Sequence, residues 1–184
     1  LTMVVAGHET TASALNWMWY LLARNPEAET QLHQEVDTWA GESSSVGALE
    51  QLAFTRQIIQ ETMRLYPPGW LLTRRSIEAD SLGGHSIPPG TDIFLSPYLI
   101  HRNPAFWRDA EKFLPDRFDG SASTSRNRFC YLPFALGPRA CIGEHFAMVE
   151  MLLHTALIAR HVRLRLVTET DVEMEGHVNL RPKT

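Results

Sequence analysis

The sequence predicts a mainly α-helical fold with a small β component, on three observations. Long apolar stretches near both ends carry helical patterning rather than strict alternation. Proline and glycine pairs gather in the middle, at Pro67-Pro68, Gly83-Gly84 and Pro88-Pro89-Gly90, and bound runs too short for helices. The 184 residues fit one domain, and 44% hydrophobic against 21% charged residues supports a packed core. There is no internal repeat and no low-complexity tract.

Residues 1–24 read as one long buried helix. Asn25-Pro26-Glu27 then restarts the chain, with Asn as N-cap, Pro at the first helical position and acids in the first turn. The second helix runs from Pro26 to about Ala40, followed by a polar loop over Gly41–Gly47. A third helix spans about Phe54 to Tyr66 and is stopped by the two prolines. Leu71–Ile77, Ser81–Ile87 and Asp92–Ser96 are short strand candidates. Residues 97–128 are proline-rich and irregular, with brief helical turns. The last helix, about Ile142–Arg160, is expected to bury a stripe of Phe146, Val149, Leu153 and Ala156. Val162–Val167 and Asp171–Leu180 read as terminal strands.

Seventeen basic against twenty-one acidic residues leave a formal charge of −4, which argues against a protein that coats nucleic acid or anionic lipid. Two cysteines make no disulfide framework and fit a reducing, cytoplasmic setting. The longest uncharged run near the start, Thr10 to Ala23, is 14 residues, too short for a transmembrane segment. The chain opens on Leu1 inside a helical pattern with no N-cap, so it reads as a fragment that begins within a helix.

The most informative stretch is Phe134-Ala135-Leu136-Gly137-Pro138-Arg139-Ala140-Cys141-Ile142-Gly143. Cys141 sits where an irregular loop enters the last helix, and amides at a helix start together with Arg139 favour a thiolate. Gly137 and Gly143 let a backbone or a flat ligand come close. Such a sulfur is a nucleophile, a metal ligand or simply a buried helix-start cysteine. Cys130 has no such setting. Upstream, Glu61 and Arg64 stand three apart on a helix and can meet on one face; alone they predict a solvated ion pair of a few tenths of a kcal/mol. In the first helix, Gly7 and the acid Glu9 lie in an apolar run, which suggests a local opening around Ala6–Thr11.

The ten-residue string resembles the haem-binding loop of the cytochromes P450: Phe, two residues, Gly, one, Arg, one, Cys, one, Gly, with every specified position matched. That resemblance makes Cys141 the axial thiolate to the iron of haem b and pairs Arg139 with a haem propionate, within a loop framed by Phe134, Gly137 and Gly143. Glu61 and Arg64 resemble the family's Glu-x-x-Arg pair, and Phe113–Phe118 resembles the segment whose arginine, here Arg117, completes a structural network; Asp116 stands where Glu is commoner. Ala6–Thr11 resembles the oxygen-activating groove, in which Thr10 hydrogen-bonds dioxygen and Glu9 relays protons. Arg75, five residues before Asp80, fits a second propionate contact, with Arg74 as the alternate. His101-Arg102-Asn103-Pro104 resembles a His-Arg-Asp-Pro turn, and His101 is read as structural.

The resemblance implies a cytochrome P450 fold of which residues 1–184 are the C-terminal portion, with the N-terminal half absent. It implies a haem-thiolate monooxygenase that oxidises a small apolar substrate with O2, using electrons from a ferredoxin, a flavodoxin-like protein or a reductase. The alternatives are a non-catalytic haem-binding module and an inert truncated fragment, in which lost helices would expose an apolar surface around Trp17, Trp19 and Tyr20. Gly69–Leu72 and Val178 are expected over the haem. Between His101 and Arg139, seven basic and four acidic residues form a patch that could steer an acidic partner. The other histidines, such as His33, His154 and His161, form no metal-ligand spacing.

Overall fold

The computed structural model describes residues 2–39, 46–120, 127–167 and 170–183. Four helices build the body: α1 (Thr2–Arg24), α2 (Pro26–Thr38), α3 (Val46–Glu50) and α4 (Ala53–Leu65). Strands β1 (Leu72–Arg75), β2 (Asp80–Leu82), β3 (His85–Ile87) and β4 (Asp92–Leu95) follow, then α5 (Pro97–Ile100), three short 3-10 turns, α6 (Glu144–His161), β5 (Met174–Gly176) and β6 (Leu180–Pro182). The predicted class, helical with small sheets, is what the chain adopts.

The strands form three separate antiparallel pairs, β1 with β4, β2 with β3 and β5 with β6. The candidate strand Ser81–Ile87 is broken by its own glycines, which turn at φ +59° and +83° and fold it back as the β2–β3 hairpin. Residues 162–167 are not a strand but irregular chain: Val162-Arg163-Leu164-Arg165-Leu166 alternates as a strand would, but no described strand pairs with it. The first two residues after position 45 are helical, in α3, where a loop over Gly41–Gly47 was expected; residues 41–45 lie outside the described ones.

The core lies where α1, α2, α4 and α6 meet, around Met18, Leu22, Leu32, Ile58, Ile59 and Leu152. Apolar residues are spread over every side of α6, with Glu150, His154 and Arg160 among them, so sequence periodicity does not identify its inner face. Met151, Leu152, Thr155, Ala156 and Ala159 are buried and Val149 is half-buried against the core, whereas Phe146 (69% exposed) and Leu153 face outward, correcting the expected stripe at those two positions. Trp17 is fully buried, stacked on Tyr66 with ring centroids 3.9 Å apart, and Trp19 and Tyr20 are half-buried against the core, so none of the three is an exposed apolar side chain. Asn25 does not cap α2: its side-chain amide turns back to donate to the Leu21 carbonyl at 2.7 Å, closing α1 instead. α4 begins without a capping side chain of its own, and Glu35 of α2 supplies one, accepting from the Phe54 and Thr55 amides at 2.7 and 2.8 Å.

α4 also carries an ion cluster with no solvent access. Arg64 Nε and Nη2 donate to the two Glu61 oxygens at 2.7 and 2.9 Å, and both side chains are completely buried. The remaining donors of Arg64 reach the carbonyls of His101 (2.8 Å), Ala110 (2.7 Å) and Lys112 (3.0 Å). All five guanidinium N–H groups therefore have an acceptor. Glu61 Oε1 also accepts from the Leu114 amide at 2.9 Å and from Arg117 Nε at 3.3 Å. Removing one partner leaves a buried charge uncompensated. Glu61→Leu should therefore lower unfolding free energy by about 3–5 kcal/mol in urea titrations, far beyond a surface pair.

Candidate functional site

The Phe134–Gly143 loop is held at its root by three consecutive residues. The Cys130 carbonyl accepts from the Trp107 indole at 3.2 Å, the Tyr131 hydroxyl donates to the Gln60 carbonyl at 2.9 Å, and the Leu132 amide donates to His101 Nε2 at 2.7 Å. Trp107 in turn lies under the Arg64 guanidinium, 5.1 Å from it. The loop root thus rests on the ion cluster of α4.

Beyond the root the chain makes two tight reversals. Ala135 and Gly137 both adopt positive φ, +59° and +76°. The Ala140 amide donates to the Gly137 carbonyl at 3.0 Å and the Cys141 amide to the Phe134 carbonyl at 2.9 Å. The second bond closes the loop, so backbone rather than rotamer choice sets the position of the thiol. Cys141 is exposed, whereas Cys130 is buried. A Cβ at Gly143 would stand 3.8 Å from Cys141 Sγ, in ordinary van der Waals contact, so Gly143 lies directly beside the sulfur. Ile142, 90% exposed, and Phe146 add apolar surface beside it. α6 starts at Glu144, one turn after the cysteine.

These features fit a flat apolar prosthetic group. The thiol is accessible, its neighbours are glycine or apolar, and Arg139 on the same loop is exposed with no ion pair among the described residues. No three His, Cys, Asp or Glu side chains gather into a metal cage among the described residues. Cys141 therefore does not belong to a cage of such side chains among the described residues.

The other singled-out residues are distributed as follows. Thr10 is half-buried on α1 and its hydroxyl donates to the Ala6 carbonyl at 2.7 Å; Glu9 beside it is exposed. α1 is continuous here, not opened as Gly7 suggested: Gly7 has no contact pressing on it, and the Thr10 hydroxyl adds a second bond to the helix turn. Neither residue hydrogen-bonds the cysteine loop among the described residues. Arg75 is engaged by Asp92, its cross-strand neighbour, through two bonds of 2.7 Å. That pair holds the Asp92 carboxyl below the ordinary range, mainly through its hydrogen bonds to Arg75. Among the described residues Arg74 donates only to the Thr73 carbonyl. In the basic patch, Arg102 pairs with Glu111, Arg108 and Lys112 with Asp109, and Arg117 with Glu61. Arg128 stacks on Phe129 and, with Arg139, carries charge not cancelled by a described carboxylate. Arg126 lies outside the described residues.

A clamp that sequence reasoning missed holds the β5–β6 turn. The Leu180 carbonyl accepts from Ser13 Oγ and from the Trp17 indole (3.2 Å), and the Leu180 amide donates to the Pro68 carbonyl at 3.1 Å. The Trp70 indole donates to the His177 carbonyl at 3.0 Å. Val178 at the turn is 94% exposed. Residues 167 positions apart meet here, so no local pattern signals it.

The family model described as Cytochrome P450 matches residues 1–183. Cyclooctatin synthase of Streptomyces melanosporofaciens is 42% identical over 181 residues, which are 98% of this chain and 39% of that protein. Carotene epsilon-monooxygenase of Arabidopsis thaliana is 38% identical over 179 residues, 95% of this chain and 33% of that one. The crystal structure of the cytochrome P450DA heme domain matches at a TM-score of 0.93 and 28% identity, over 99% of this chain and 41% of that chain. The chain therefore spans well under half the length of these relatives. Among the described residues no helix is long and apolar enough to cross a membrane.

The positive φ of Gly137 is a position that L side chains adopt only under strain. Gly137→Ala should cost about 1–2 kcal/mol of stability, read by thermal unfolding, without changing helix content.

Proposed function

The chain belongs to the cytochrome P450 family, and on that premise we propose that it is the haem-binding, C-terminal portion of a monooxygenase acting on an apolar substrate. The observation that carries this is the closed loop that presents the accessible thiol of Cys141, flanked by Gly143 and apolar neighbours, one turn before α6. Bound there, haem b would supply the iron chemistry that activates dioxygen and oxidises the substrate.

The protein's own part divides among three groups. Cys141, as thiolate, would hold the iron, and the backbone bond from its amide to the Phe134 carbonyl keeps the loop closed around it. Arg139 offers a guanidinium to a propionate; of the strand pair, Arg75 is shared with Asp92, while Arg74 has no carboxylate partner among the described residues. Thr10 and Glu9 move protons: the Thr10 hydroxyl is oriented by its bond to Ala6 and keeps lone pairs for accepting, and the exposed Glu9 carboxylate exchanges with water. Leu71 and Val178, exposed on the clamped segments, offer apolar contact to a substrate. A relative named as a monooxygenase of carotene and one named for cyclooctat-9-en-7-ol support the apolar class.

Electrons come from a protein partner, for which Arg128 offers, near the loop, a charge not cancelled by a carboxylate among the described residues. Arg128→Glu should slow first-electron transfer at low ionic strength, with the difference shrinking as salt rises. Equal rates at all salt concentrations would remove this arginine from the docking surface.

The ferrous–CO spectrum tests the ligand itself. The protein with haem should show the red-shifted thiolate Soret band, and Cys141→Ala should lack it while retaining its helical circular dichroism. A thiolate band that survives the substitution would overturn the assignment.

A further inference from the structure

His101 is fully buried just after α5, and nothing in the proposed chemistry uses it. Its two ring nitrogens meet partners of opposite kind. Nδ1 lies 3.2 Å from the Arg64 carbonyl, and Nε2 lies 2.7 Å from the Leu132 amide. A carbonyl only accepts and an amide N–H only donates. The ring is therefore the neutral tautomer with its proton on Nδ1, donating to α4 and accepting from the loop root. We propose that His101 is a positioning residue that ties α4 to the root of the Phe134–Cys141 loop, and that it does so only while neutral, so that acid frees the loop root before it affects the helical core.

The chemistry is a change of sign at one atom. A proton on Nε2 turns that acceptor into a donor, which then faces the Leu132 N–H donor across 2.7 Å. One of the three bonds at the loop root is lost, and the closing bond from the Cys141 amide to Phe134 begins only two residues further along. The groups facing His101 favour the neutral ring. From α4 comes the Arg64 guanidinium, balanced by Glu61; from the turn after α5 comes Arg102, paired with Glu111. Tyr131 of the loop root packs its ring 5.3 Å away, with its hydroxyl committed to Gln60. Burial is the largest influence and lowers the imidazole pKa to about 4 from 6.5; the Arg64 and Met63 carbonyls oppose it, and the positive charges of Arg64 and Arg102 reinforce it. Between those two values the released ring binds the proton that the held ring refuses. The hold is therefore complete above about pH 6.5 and weakens as pH falls toward 4.

Amide hydrogen exchange on the purified protein tests this, with rates corrected for the intrinsic effect of pH. Protection of the Leu132 amide should fall roughly thirtyfold between pH 7.5 and pH 5, the ratio that linkage between the two pKa values requires. Amides of α6 should keep their protection over the same range. His101→Gln places an amide that can accept from Leu132 and cannot titrate, so its acid-dependent loss should disappear. His101→Asn reaches only the Arg64 side and should leave Leu132 poorly protected at both pH values. Equal acid loss in the wild type and His101→Gln would overturn the proposal, as would a loss shared by α6. A nitrogen-15 spectrum of the wild-type ring reads the tautomer with no substitution at all, and a protonated Nε2 at pH 7.5 would also overturn it. The consequence for Cys141 rests on the haem-loop reading above, but Leu132 exchange reports on His101 whatever the cysteine binds, so the two can fail separately.

Discussion

The buried guanidinium of Arg64 is the constraint on which the rest of this structure depends. A charge taken out of water is stabilising only when its whole donor set is satisfied. Two of its five bonds go to Glu61 on its own helix, and three go to carbonyls of the irregular chain between His101 and Lys112. That chain has almost no regular secondary structure to hold it. Arg64 acts as its template, and Glu61 extends the same cluster to Leu114 and Arg117. A residue in the middle of a helix thereby fixes some fifteen residues of loop without any ladder of backbone bonds.

The cysteine loop is built on that template at one remove. Trp107 and His101 both belong to the chain that Arg64 holds, and both bond to the residues immediately before the loop. The thiol's position is thus set through two layers: ions to backbone, then backbone and ring nitrogen to the loop root. Directness is lost at each layer, but so is flexibility, because every link is a bond to a main-chain atom. The exposed parts of the site differ in kind. Ile142, Phe146 and the outer side of α6 present apolar atoms to solvent in this chain.

The clamp at Leu180 plays a comparable role for the C-terminal hairpin. One carbonyl accepts from two side chains of α1 that lie one turn apart, Ser13 and Trp17. Those residues follow Thr10 by one and two turns on the same helix. The hairpin turn and the Thr10 hydroxyl are therefore positioned by a single rigid element, so their separation does not depend on the loops between them.

Chemistry that is local in the chain was legible from residue order. The order of Phe134, Gly137, Arg139, Cys141 and Gly143 carried the resemblance to the family's haem-binding loop, because those positions all lie along one short segment. Helices α1, α2 and α4 were likewise legible, since prolines and periodic apolar residues mark their limits within one or two positions. What could not be read was anything whose partner lies far away in the chain. The inner face of α6 is one case, because a helix whose apolar residues are spread over every side has no preferred face until its neighbours choose one. The turning of Asn25 toward Leu21, the burial of Trp17 against Tyr66 and the engagement of Arg75 by Asp92 are others. The tautomer of His101 is the sharpest of them: an imidazole accepts or donates at either nitrogen, and only the carbonyl of Arg64 on one side and the amide of Leu132 on the other assign the proton. Distance along the chain hides such pairs, and packing alone brings them within hydrogen-bonding reach.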